Sequence, residues 1–287
     1  MKLEIFKKLG IATVLPLILF GFTLATQQAS PHNILVECLF ISFVVHWFFG
    51  LPSIFLRTEK LFDLTGSIAV LSMLYYALQH VLNLGNRAIL LLAFCAIWTI
   101  RLGAFLFIRI MLHKVDGRFN DIKKSPLSFI ITWHLSATWT FLTIVAALCA
   151  ITSSQQQPLF IVDMIFILMW LLGFFCEFFA DLQKFRFKKK KSDLPFINSG
   201  LWSYSRHPNY LGEIVMWFAI AGLALPNLYS WSLLSLISPF FVSILLIKIS
   251  GINLLEENND KKFGHLHAYK VYKETTPILF PLTRQKN

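Results

Sequence analysis

Eight long apolar runs dominate this chain and leave it few ways to fold. They cover about 9–26, 34–56, 61–82, 88–112, 127–152, 159–180, 210–226 and 231–250. Each is long enough to cross the roughly 30 Å of hydrocarbon in a bilayer. In lipid every backbone amide and carbonyl must be satisfied within the protein, so helices and closed barrels are the only spanning solutions. Runs this continuously apolar do not suit barrel strands, which alternate apolar and polar residues. The sequence therefore predicts an all-α, polytopic transmembrane helix bundle of about eight spans, a single integral-membrane domain over 1–287. Composition agrees: only 14% of residues are charged, against about 25% in a soluble domain.

The loops set an orientation. Lysine and arginine concentrate in cytoplasmic loops. Lys2, Lys7 and Lys8 precede the first run, and the 27–33 loop has no basic residue. The 57–60 loop has Arg57 and Lys60, and the 83–87 loop only Arg87. The 113–126 loop has Lys114, Arg118, Lys123 and Lys124, whereas 153–158 has none. The 181–209 loop has seven, 227–230 none, and the tail after 250 has six. The alternation predicts that both termini and the three basic loops face the cytoplasm. The net charge of +11 is thus read as membrane topology and attraction to membrane lipids, with no nucleic-acid partner. The basic start and first apolar run read as an uncleaved span. The absence of a retention signal points to a bacterial inner membrane. Cys38, Cys95, Cys149 and Cys176 all lie inside apolar runs without metal-ligand spacing, so no metal is expected.

Four polar clusters fall on the predicted cytoplasmic side. The first runs from Arg101 and Arg109 to Asp116, Arg118 and Asp121; a charge within a span usually faces the bundle interior or a wet cavity. The second holds Glu177, Asp181, Gln183, Lys184 and Lys188. Glu177 and Asp181 are four apart and share a helix face, where carboxylates suit ribose hydroxyls and the lysines suit phosphate. The third is Gly200-Leu201-Trp202-Ser203-Tyr204-Ser205-Arg206-His207-Pro208-Asn209-Tyr210-Leu211-Gly212-Glu213. Pro208 is favourable in a first helical turn. The amides that follow it form a helix N-terminus suited to an anion such as a pyrophosphate. Arg206 adds a planar cationic fork. Asn209 and Glu213 share one helix face. The fourth cluster is the tail, with Glu256, Glu257, Tyr269, Tyr272 and Thr276-Pro277. No metalloprotease, P-loop or soluble dinucleotide-binding motif occurs.

Taken together, these residues resemble a known family. Leu201-Trp202, Ser205-Arg206-His207-Pro208-Asn209-Tyr210 and Gly212-Glu213 are similar to the signature of bacterial relatives of the membrane steroid 5-alpha-reductases. Asp63-Leu64-Thr65-Gly66, Trp98-Thr99-Ile100-Arg101-Leu102-Gly103, Asp116-Gly117-Arg118-Phe119, Asp181-Leu182-Gln183-Lys184, Leu254-Leu255-Glu256 and Tyr269…Tyr272…Thr276-Pro277 follow in the family order. The resemblance spans roughly 60–285, including the motif loop 181–209 and the tail 251–287. Arg-His-Pro-x-Tyr by itself is shared with isoprenylcysteine carboxyl methyltransferases and sterol reductases.

The resemblance implies a seven-helix reductase core plus one span, with NADPH bound at its cytoplasmic end. It implies hydride transfer to the carbon–carbon double bond of an enone lipid, a 3-oxo-Δ4-steroid being one such substrate. By position, Asn209 and Glu213 would meet the nicotinamide half of the cofactor. Asp181 and Lys188 would lie along ribose and phosphates, with Arg109, Asp116 and Arg118 as further clamps. Tyr204, Arg206, His207, Tyr210 and Glu256 complete the expected cofactor set. The animal enzymes polarise the substrate ketone with a Gln-Glu pair in an early span and a later tyrosine. Neither is found here, and Asp63 and His134 stand in as candidate catalytic acids. Two other classes stay open: an S-adenosylmethionine-dependent membrane methyltransferase, and a non-enzymatic lipid-binding or transport protein.

Overall fold

The computed structural model describes residues 2–27, 33–81, 83–113, 119–189, 194–249 and 251–280, with side chains described outside 2–13 and 113. Among the described residues the regular structure is all helical, and six helices are long and apolar enough to cross a membrane. The protein is an all-α polytopic membrane protein. The helices are α1 (Lys2–Thr26), α2 (Ile34–Phe55), α3 (Phe62–His80), α4 (Asn86–His113), α5 (Pro126–Ile151), α6 (Asp163–Lys189), α7 (Pro208–Ala224), α8 (Ile237–Ile244), α9 (Ile252–Phe263) and α10 (His267–Thr275). They fall into two compact units, residues 1–159 with 223–238, and 160–222 with 239–287.

In unit 1, α2 packs on α3 and α5. The fit is close because Gly50 faces the fully buried Trp133, where an added Cβ would lie 2.9 Å from Cδ2 of the ring. Phe62 meets the same indole edge-on, Phe129 packs on it at a tilt, and Phe119 meets both phenyl rings edge-on, an arrangement that aromatic quadrupoles favour. Lys123 donates to the buried Glu59 carboxylate at 2.5 Å, tying the 3₁₀ turn Ile122–Lys124 to the start of α3.

The last expected span, 231–250, is not one uniform helix. It consists of a 3₁₀ segment (Ser230–Leu236), α8, and a π turn (Leu245–Ile249). Serines and a proline explain the break. Ser235 donates to Ser232 O at 2.7 Å, so its side chain competes with the local ladder, while Ser238 donates across to Thr143 O of α5 at 2.5 Å. Pro239 has no N–H, which is harmless only in a first turn, and α8 restarts two residues before it.

Arg87 is completely buried. Its guanidinium donates to Gln157 O (3.4 Å), Leu223 O (2.9 Å) and Pro158 O (2.7 Å). Asn227 works beside it, donating to Ala150 O at 3.0 Å and accepting from Gln157 N at 2.9 Å. Carbonyls of the 157–158 loop and of the last turns of α5 and α7 are thereby satisfied inside the protein, as a membrane protein requires. The one basic residue of the 83–87 loop is therefore held inside the protein. Replacing Arg87 by leucine leaves these carbonyls buried without donors and is expected to cost about 3 kcal/mol. Thermal unfolding in detergent micelles would show it, and Arg87→Lys, which lacks the fork, should recover only part.

Candidate functional site

Unit 2 assembles the motif stretch from three directions. The end of α6 holds its first half. Gly200 adopts φ +64°, a left-handed backbone, and a Cβ there would lie 2.7 Å from Gln183 Oε1, so glycine is required twice over. Leu201 N–H donates to Gln183 Oε1 at 3.0 Å, and the buried Trp202 indole to Ala180 O at 3.1 Å. Lys184 Nζ lies 4.7 Å over the Trp202 ring, a cation–π contact. The 3₁₀ turn Gly200–Ser203 is thus clamped to the last turn of α6.

The tail holds the second half. Arg206 N–H donates to Pro277 O (2.9 Å), Ser205 Oγ to Ile278 O (3.2 Å) and Tyr272 OH to Trp202 O (2.7 Å). Phe196 packs against Tyr269, Tyr272 and Phe263 and anchors α9 and α10. Burial and the Glu256 and Asp260 carboxylates push the Tyr269 phenol up to about 12, so it remains a neutral donor. From α9, Glu256 accepts from Arg206 Nη1 at 2.5 Å and, through its other oxygen, from His207 Nε2 at 2.8 Å. Its neighbour Glu257 points away to Lys261.

The α6–α7 crossing supplies the third direction. Gly173 and Gly212 bring the two backbones together: a Cβ on Gly212 would lie 2.5 Å from Gly173 O and 2.7 Å from Glu177 N. One and two turns along α6 from Gly173 stand Glu177 and Asp181, both buried. Asn209, in the first turn of α7, donates to Asp181 Oδ1 at 3.2 Å. Leu211 N–H is bonded to His207 O (3.1 Å), so the first amides of α7 lie outside the helical ladder. Tyr210 stacks on His207, with centroids 5.8 Å apart.

His207 and Arg206 are 2% and 8% exposed. Among the described residues, His207 Nδ1 and Arg206 Nε have no hydrogen-bond partner. Burial pushes the His207 imidazole below its ordinary value, and its bond to Glu256 recovers only part of that shift. The ring is therefore neutral, with Nε2–H donating to Glu256 and Nδ1 left as an acceptor. A lowered folded value means that the unfolded chain binds more protons just below pH 6.5, so stability falls as pH drops through that window. Melting temperature should decline more steeply from pH 7 to pH 5 in the wild type than in His207→Gln.

The predicted residues thus separate. Asp181, Arg206, His207, Asn209, Tyr210 and Glu256 come together in unit 2. Glu213 lies half-buried one turn beyond Asn209, Tyr204 is 57% exposed, and Lys188 is exposed on the last turn of α6. Glu256, expected at the cofactor, has its two oxygens engaged by Arg206 and His207. In unit 1, Arg109 pairs with Asp63 at 3.7 Å, and His134 packs beside Phe43 and Trp47. Asp116 and Arg118 lie outside the described residues. Gly173 and the buried His46 were not singled out by the sequence reading. Gly173 lies one turn before Glu177, and His46 is flanked one turn earlier by Ser42, signals that were there to read. Among the described residues no three His, Cys, Asp or Glu side chains gather as a metal site would need.

Comparison with known proteins places this arrangement in a family. Neither the curated proteins nor the solved structures include a match to the chain. A family model described as "Protein of unknown function (DUF1295)" matches residues 48–276, from within α2 to just past α10. With most of its length matched, including every motif of the unit 2 cluster, the chain belongs to the DUF1295 family.

Proposed function

We propose that the protein is an NADPH-dependent membrane reductase acting on the carbon–carbon double bond of an enone lipid, as its resemblance to the steroid 5-alpha-reductases implies. The observation that carries this reading is the unit 2 cluster, where a helix N-terminus, a buried guanidinium and buried carboxylates meet. Bound NADPH would supply hydride to the double bond.

The donor set suits such a cofactor. Arg206 Nε–H is a buried donor and His207 Nδ1 a buried acceptor, each lacking a protein partner among the described residues. A buried polar atom left unpaired costs about 1–3 kcal/mol, which a ligand's hydroxyl or phosphate oxygen would recover. Asn209 keeps its carboxamide oxygen beyond its bond to Asp181, so it can meet a nicotinamide carboxamide. Glu213 lies on the same helix face. Asp181 would take a ribose hydroxyl, and Lys188 and the first amides of α7 would take phosphate. The alternation of loop charges supports a cytoplasmic site, where reduced nicotinamide is available.

Side-by-side titration of purified protein with NADPH and S-adenosylmethionine tests the reading. Saturable NADPH binding, weakened in Asn209→Ala and Asp181→Asn, is the expected result. Saturable S-adenosylmethionine binding alone would replace the reductase by a methyltransferase, and binding of neither would leave a non-enzymatic role.

A further inference from the structure

Unit 1 carries a second polar cluster, at the end of α2 and α3 away from the 57–60 loop. Glu37 stands in the first turn of α2, in an otherwise apolar span. Its Oε2 accepts from Tyr76 OH of α3 at 2.6 Å. Among the described residues that phenol is the carboxylate's one donor, and no cation pairs with it. One turn past Tyr76, His80 stacks on the phenol ring with centroids 4.0 Å apart, held by its Nδ1 at 2.9 Å from Tyr76 O. The cluster is an acceptor in character. It has a carboxylate, a phenol whose proton is spent on that carboxylate, and the electron-rich face of an aromatic ring.

Depth decides what can reach it. α2 has 22 residues, ~33 Å at 1.5 Å each, against roughly 30 Å of hydrocarbon. Glu37 lies one turn inside the start of α2, and Tyr76 one turn inside the end of α3. Both therefore sit where hydrocarbon gives way to lipid headgroups. Both are half-buried, and the neighbouring Tyr75 is 65% exposed, so the cluster reaches the protein surface. A carboxylate at this depth is costly without a partner. Joining the helices does not call for its charge. A neutral glutamine would accept the same phenol proton, and Cys38 Sγ already meets Met73 O at 3.7 Å.

We propose that Glu37 binds the primary ammonium of an ethanolamine phospholipid headgroup at this end of unit 1. The ammonium donates an N–H to the carboxylate and lies against the Tyr76 ring. Tyr76 OH is the positioning group that fixes the carboxylate. A choline headgroup carries the same charge without an N–H to donate, and a glycerol headgroup brings no cation. Thirteen residues of α3 separate Tyr76 from Asp63, about 20 Å of helix. The site is thus distinct from the candidate catalytic acid and does not rest on the reductase reading.

Native mass spectrometry of the purified full chain in detergent, titrated with dioleoyl phosphatidylethanolamine, phosphatidylcholine and phosphatidylglycerol, tests it. The wild type should bind the ethanolamine lipid roughly 10-fold more tightly than the choline lipid, the range of one hydrogen bond to a charged group. Glu37→Gln should remove that preference with choline-lipid binding unchanged. Tyr76→Phe should keep part of it, whereas an equal loss for all three lipids would overturn the positioning role of Tyr76. Soluble glycerophosphoethanolamine in tenfold excess should not displace the lipid, and displacement would give the site to a soluble amine instead. Equal wild-type affinity for the ethanolamine and choline lipids, or an unchanged preference in Glu37→Gln, would overturn the proposal.

Discussion

Gly212→Val is expected to lose NADPH binding by more than ~100-fold and to destabilise the protein by about 3 kcal/mol, the upper range for overpacking a tight contact. The reason is geometric. The atoms that a new Cβ would meet are Gly173 O at 2.5 Å and Glu177 N at 2.7 Å, both backbone. A flexible side chain could move aside, but two helix backbones can relieve the contact only by separating. Separation pulls Asp181 away from Asn209, whose 3.2 Å bond depends on this crossing. No compensation is available from the partner, since Gly173 is already glycine. Gly212→Ala should fall between the wild type and valine. Melting temperature and NADPH affinity, measured together, check the prediction: both should fall in the order glycine, alanine, valine.

The second large effect is expected at the tail. Arg206→Met leaves the Glu256 carboxylate facing an apolar side chain where a guanidinium had been. The two side chains are 8% and 15% exposed. Breaking a buried ion pair from one side typically costs about 3–5 kcal/mol, because the remaining charge has lost its solvent and its partner. The double variant Arg206→Met/Glu256→Gln should regain much of that loss, since glutamine keeps an acceptor for His207 Nε2–H and carries no charge. The cycle is read by thermal unfolding. Simple additivity of the two single changes would show that the pair does not couple the tail to the motif.

Most of the fold was legible in the sequence, because the length of an apolar run is a direct statement about bilayer thickness. The expected 34–56 span appears as Ile34–Phe55 and the expected 127–152 span as Pro126–Ile151. The 231–250 run is among the spans found, within Ser230–Phe263, but its internal change of helix type around Ser232, Ser235 and Pro239 does not show in a count of apolar residues. The site was legible where residues sit close in sequence or on one helix face, as with Asn209 and Glu213. Partners between elements were not. Arg109 and Asp63 are 46 positions apart and were given separate roles, yet they form one ion pair. Glu256 and Glu257 look alike in the sequence. Their places on α9 decide that one holds Arg206 and His207 while the other meets Lys261. Gly173 lies one turn before Glu177, but the residue that needs it small, Gly212, is on another helix.

The most direct test of the central claim is isotope transfer. Purified protein in nanodiscs is given NADPH deuterated at the transferable C4 position and cholest-4-en-3-one, and the product is examined by mass spectrometry. The account predicts a saturated ketone carrying one deuterium from the cofactor, formed by the wild type and not by Asn209→Ala. A product without the label, or full labelling by Asn209→Ala, would contradict it.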